Sequence, residues 1–195
     1  MITSDPQEFG GDWTRKKLDI FGGYLKSYRN IFDNGKAKWY RTIYVDAFAG
    51  SGACVPNGTP EDAEMADSAQ AILDGSTRIA LEHTPGFNEY LFIELNKKNA
   101  ASLERLKDEY PHHNVRVVRG DANKALRDFC ASVEWKRNRA VVFLDPFGMQ
   151  VEWEVIEMLG ATKGVDLWYL FPIGTMNRML PRSGPPGPEW GDTLT

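Results

Sequence analysis

The chain predicts a single α/β domain in which a mainly parallel sheet carries helices on both sides. Three observations lead there. Short apolar runs alternate with stretches whose hydrophobic residues recur at helical spacing. The short runs are nearly all apolar, as suits strands buried on both faces. Several of them also end on an acidic residue followed closely by glycine or proline. At 195 residues and 42% hydrophobic, the chain is long enough for one well-packed domain and too short for two comfortable ones.

The elements follow in order. Residues 1–11 read as a loose lead-in, and residues 12–180 as the domain. Asp12 to Phe32 is an amphipathic helix, because Leu18, Phe21, Leu25, Tyr28 and Phe32 fall at three- and four-residue steps. Gly22 and Gly23 each cost about 1 kcal/mol relative to alanine in a helix, so a kink or break is expected there. The turn signal Asp33-Asn34-Gly35 precedes the first strand, Thr42 to Asp46. Further strands are expected at Glu89–Leu95, Val115–Val118, Ala140–Leu144 and Val165–Leu170. Helices are expected at Asn96–Glu109, Asn123–Val133 and Val151–Leu159. An insertion spans residues 53–87, with a helix over 62–73 and a role as lid or partner surface. Residues 181–195, rich in proline and glycine, form a surface segment.

Composition excludes several classes. No apolar run reaches the ~18–20 residues of a membrane helix. The N-terminus lacks the basic-then-apolar layout of a secretory signal. Cys54 and Cys130 are too few and too scattered for a disulfide framework or a zinc site, and fit reduced thiols in a cytoplasmic protein. No metal site is expected. A net charge of −4 gives no general electrostatic reason to bind nucleic acid, which leaves that role to a local basic face.

In such a sheet the chemistry belongs at the carboxyl ends of the strands, where a crevice opens. The first strand end is Val45-Asp46-Ala47-Phe48-Ala49-Gly50-Ser51-Gly52. Its glycines let the backbone turn sharply and approach a ligand, or simply make a tight turn. Asp46 stands directly before this loop, where a carboxylate would repel a pyrophosphate and favour a cationic cofactor. At the second end, Glu94 is placed to accept from two ribose hydroxyls, or to favour the dipole of the next helix. At the third, Asp121 could accept from an adenine amino group or cap the helix that follows. The fourth end reads Leu144-Asp145-Pro146-Phe147-Gly148. Here proline fixes the backbone after an acid, and Phe147 stands at the crevice mouth. Asp-Pro is also a common turn starter, but four such signals in order argue for a site.

These residues resemble the ordered motifs of class I S-adenosylmethionine-dependent methyltransferases. More specifically, the chain resembles the three-Cys-motif partner protein family (TcmP), a bacterial and phage-associated group. The likeness rests on Trp13-Thr14 with Lys17-Leu18, on Tyr44 through Gly52, on Phe92-Ile93-Glu94, and on Leu170-Phe171-Pro172 with Asn177-Arg178. It runs over nearly the whole chain from Trp13 onward. The resemblance implies a Rossmann-like three-layer sandwich that binds S-adenosylmethionine. It implies that Asp46, Phe48, Gly50 and Gly52 line the methionine and ribose part of the cofactor, that Glu94 holds the ribose hydroxyls, and that Asp121 and Ala122 face the adenine. Asp145, Pro146 and Phe147 match the motif that holds a target nitrogen in amine-methylating relatives. A flat base could then stack on Phe147. The implied partners are a nucleic-acid substrate and a three-Cys-motif protein.

Three features depart from the pattern. Val55 stands where a third glycine would be expected. The fourth motif reads Asp-Pro-Phe-Gly rather than Asp-Pro-Pro-aromatic. The chain also stops soon after its fifth strand, so the closing antiparallel strands are expected to be missing, as from a shortened chain. Among the remaining residues, His83, His112 and His113 read as surface or packing residues. Trp39, Tyr40, Trp153, Trp168 and Tyr169 read as core. Lys97-Lys98 and Lys136-Arg137 with Arg139 read as solvated faces, the latter able to touch phosphate. The leading function is a methyltransferase acting on a nucleic-acid base amine. The alternatives are a non-catalytic partner of a three-Cys-motif protein, and a nicotinamide-dependent oxidoreductase disfavoured by Asp46 and Val55.

Overall fold

The computed structural model describes residues 11–52 and 75–173. Helix α1 (Gly11–Asp33) is followed by a short 3-10 turn (Gly35–Ala37) and strand β1 (Arg41–Asp46). Residues 75–82 are helical and form the described part of α2. Then come β2 (Glu89–Glu94), α3 (Lys97–Glu109), β3 (Val115–Arg119), α4 (Ala122–Ser132), β4 (Asn138–Leu144), α5 (Trp153–Ala161) and β5 (Val165–Tyr169). The five strands form one sheet in the order β3-β2-β1-β4-β5, and every pairing is parallel. This is the predicted α/β architecture, with each strand and helix expected within the described residues displaced by no more than two residues at either end. Gly11, expected in the lead-in, is already helical. The rest of that lead-in, the helix expected over 62–73, Cys54, Val55, Asn177, Arg178 and the segment 181–195 lie outside the described residues.

The two-residue period of the strands sorts side chains onto two faces. On one face Tyr44, Tyr90, Phe92, Val141 and Phe143 meet α1, α2 and α3 through Phe21, Leu25, Tyr28, Leu81, Leu103 and Leu106. On the other, Ile43, Val45, Leu91, Ile93, Val142 and Leu144 meet α4 and α5 through Leu126, Phe129, Val155 and Leu159. The first face is built largely from rings. Phe21 packs against Phe143 at 4.6 Å and Trp168 at 5.2 Å between centroids, and against Tyr44 at 6.2 Å.

Helix α1 runs unbroken through Gly22 and Gly23, so of the kink or break expected from the sequence the break does not occur. The magnitudes explain the difference. Two glycines cost about 2 kcal/mol of helix propensity. Fully burying Phe21, Leu25 and Tyr28 on the ring-lined face is worth roughly 1.5–3 kcal/mol each. Packing wins, and the helix continues across both glycines to cover the sheet.

Strands β1 and β4 lie side by side at the centre, although β1 leads to β2 on one flank and β4 to β5 on the other. That reversal is a topological switch point, and it leaves a crevice beyond the carboxyl ends of β1 and β4. In register Asp46 pairs with Phe143, so the loops after Asp46 and Leu144 leave the sheet together at this point.

Candidate functional site

Backbone pairing continues past the strand ends and fixes where the loops start. The amide of Ala47 donates to the Phe143 carbonyl, that of Ala49 to Ile93, and that of Gly120 to Glu94, each at 3.1 Å. Gly50 and Gly52 both adopt positive φ, 63° and 64°. A Cβ on Gly52 would also stand 2.7 Å from Leu106 Cδ2. The glycine spacing is therefore required by the turn and by packing on α3, whether or not a ligand binds.

Asp46 is fully buried. Its Oδ2 accepts from Ser76 Oγ at 2.6 Å and from Tyr44 Oη at 3.3 Å, and its Oδ1 accepts from the Phe48 amide at 3.2 Å. Burial pushes this carboxyl up to about 7, with the nearby Asp145 charge adding to the rise and the Ser76, Phe48 and Tyr44 hydrogen bonds opposing it. Burial and the Asp46 charge hold the Tyr44 phenol well above its ordinary range, so it stays a donor. Asp46 thus lies under the loop 47–52 and secures α2 to the end of β1.

Glu94 is partly exposed, and both its oxygens are engaged. Oε2 accepts from the Gly50 amide at 2.9 Å and Oε1 from the Asn96 amide at 2.7 Å. A carboxylate offers about four lone-pair sites, so two remain after these bonds. The cap of α3 is the neighbouring Asn96, whose Oδ1 accepts from the Lys98 and Asn99 amides, and Glu94 stands beside that helix start. Glu94 also ties the glycine loop to the mouth of the adjacent strand. Asp121 caps α4, accepting from the Lys124 amide at 2.9 Å, and Ala122 is buried in its first turn.

The fourth end sits across the switch point. Asp145 is partly exposed, Pro146 is buried, and the Phe147 ring is 64% exposed. Asn123 of α4 steadies the chain that follows: its Nδ2 donates to the Gln150 carbonyl at 2.9 Å, and its Oδ1 accepts from the Glu152 amide at 3.0 Å. Arg127 of the same helix pairs with the Glu152 carboxylate. The exposed side chains Leu95, Phe147, Phe171 and Ile173, with half-buried Phe48, follow the carboxyl ends of β2, β4, β5 and β1. One end of the sheet therefore combines fixed carboxylates with flat or apolar side chains.

The structure brings the residues singled out from the sequence to this one end of the sheet. Sequence reasoning missed Ser76, Tyr44 and Asn123. Ser76 and Asn123 act across 30 and 27 residues, a separation with no local spacing signal. Trp39 and Trp153, expected in the core, are exposed. The His113 ring packs against Tyr90 and Tyr110, with Nε2 2.9 Å from the Leu81 carbonyl oxygen. Among the described residues, no group of three or more His, Cys, Asp or Glu side chains is set for a metal ion, and no helix is long and apolar enough to cross a membrane. Comparison of the chain with protein-family models, with curated proteins and with solved structures finds no match.

Proposed function

We propose that this protein is a methyltransferase that binds S-adenosylmethionine in the switch-point crevice and acts on an amine of a nucleic-acid base. The observation that supports this reading most is Glu94, a partly exposed carboxylate held by two backbone amides at the crevice edge with lone pairs to spare. Such a group suits paired ribose hydroxyls. Exposed Leu95 beside it and half-buried Phe48 offer apolar contact for a flat heterocycle. The partly exposed Asp145 carboxyl at the same end favours a ligand bearing positive charge. The residues present therefore fit the cofactor.

When bound, the cofactor supplies an electrophilic methyl group, so the protein's work is mainly alignment. Glu94 holds the sugar, and the loop 47–52 covers it. The Asp145 carboxylate or the Pro146 carbonyl would accept a hydrogen bond from the amine N–H and so orient its lone pair. Phe147 stacks on the base from the crevice mouth. Asp46, Ser76 and Tyr44 keep the floor of the site in place. Calorimetric titration of the intact chain with S-adenosylmethionine tests the reading: saturable binding is expected, and its absence overturns it. Binding without transfer to any nucleic-acid substrate would move the conclusion to a cofactor-binding partner of a three-Cys-motif protein.

A further inference from the structure

At the opposite, amino-terminal end of the sheet, the geometry points to a docking surface for single-stranded nucleic acid, with a base stacked on Trp39 and phosphates on the surrounding lysines and arginines. The Trp39 indole lies on the Tyr40 ring, with centroids 3.8 Å apart and planes at 27°. The Arg139 guanidinium carbon stands 3.8 Å from the same Tyr40 centroid. Arg139 Nη2 donates to Tyr40 Oη, and Nη1 donates to the carbonyls of Trp135 and Asn138, all at 2.7 Å. The stack is locked from beneath, yet Trp39 is 59% exposed. The indole is held in place and left open.

Charge collects around it. Residues 34–41 and 135–139 contain Lys36, Lys38, Arg41, Lys136, Arg137 and Arg139 and no acidic residue, in a chain whose net charge is −4. All but Arg139 are exposed. The Arg41 amide donates to the Arg137 carbonyl at 2.9 Å, which brings the two segments together at the sheet end. Of the acids that flank these two segments in the sequence, Asp33 is engaged by Arg29 at 2.6 Å, and Glu134 lies 4.0 Å from Arg137. A flat ring stacked in place beside exposed cations matches what a single strand presents, namely π-faces joined by phosphates. A lipid surface would call for several exposed apolar side chains together, whereas the cluster surrounds one ring. The strands separate this surface from the crevice by about 20 Å, so it stands whether or not the crevice transfers a methyl group.

Fluorescence anisotropy of labelled 20-nucleotide single-stranded DNA and RNA with the full chain, at low and physiological salt, tests the proposal. Saturable binding that weakens with salt is expected. Lys136→Glu with Arg137→Glu should weaken it tenfold or more and flatten the salt slope by about 1.4, the change for two lost phosphate contacts on a single strand. Trp39→Ala should weaken it about fivefold or more. Lys36→Glu with Lys38→Glu provides a second charge variant should the first fold poorly. S-adenosylmethionine titrations of these variants should match the parent, which keeps this surface distinct from the crevice. No oligonucleotide binding by the parent, unchanged affinity in folded variants, or binding to phosphatidylserine vesicles alone would each overturn the proposal.

Discussion

The two ends of the sheet handle charge in opposite ways. At the carboxyl end, Asp46, Glu94 and Asp121 turn their carboxylates onto backbone amides and buried hydroxyls, so each acid holds a loop or a helix start. At the amino end, Lys36, Lys38, Arg41, Lys136 and Arg137 are exposed, and only Arg139 is built into the framework. Shape and charge are therefore coupled at one end and separable at the other. An acid of the crevice cannot be removed without loosening the fold around it, whereas a cation of the far end can.

Substitutions at the two ends sharpen that contrast. Asp46→Ala should destabilise most, by about 2–4 kcal/mol in urea unfolding, because Ser76 and Tyr44 lose a buried acceptor. A loss below about 1 kcal/mol would break the contrast. The same residue predicts a pH dependence. Its folded value, about 7, lies above its ordinary 3.8. Between these values the folded state holds a proton that the unfolded state has released. The Asp46 contribution is thus fully present below about 4 and is lost as pH rises through about 7. Asp46→Asn, which cannot ionise, should cost more stability at pH 5 than at pH 8 relative to the parent. A constant difference would remove the burial argument.

Glu94→Ala should weaken S-adenosylmethionine binding by roughly 1.5–3 kcal/mol in calorimetry, about the value of hydrogen bonds to a charged acceptor. Unchanged affinity would confine Glu94 to its loop-holding role. Asp121→Ala should lower stability by about 1 kcal/mol through loss of the α4 cap. Smallest of all, Lys136→Glu with Arg137→Glu should shift stability by no more than about 0.5 kcal/mol per residue. A larger loss would mean that the amino end is built into the fold after all.

The order of elements was legible from the sequence because each signal is local. Hydrophobic period marks strands and helices, and an acid before glycine or proline marks a strand end. The Asp121 cap is local too, reaching only to Lys124. The contacts that reading missed are long-range. Nothing near Ser76 announces that it will bond to Asp46, and nothing near Asn123 announces a clamp on Gln150 and Glu152. The unbroken course of α1 through two glycines, and the exposure of Trp39 on its Tyr40 and Arg139 stack, depend likewise on what the sheet brings close. Propensity and average burial describe a residue's habits; here tertiary neighbours decided the outcome.

The ring-lined face of the sheet has an optical consequence. Phe21, Tyr44, Phe143 and Trp168 meet in one cluster, and Tyr24 extends it to Trp168 at 4.9 Å. Fixed, asymmetric contacts of this kind generate near-ultraviolet circular dichroism, which vanishes when side-chain packing is lost even if helices persist. Since α1 supplies Phe21 and Tyr24, its seating on the sheet can be followed in that spectral window. The helices themselves are read in the far ultraviolet, so one unlabelled sample reports both levels of order.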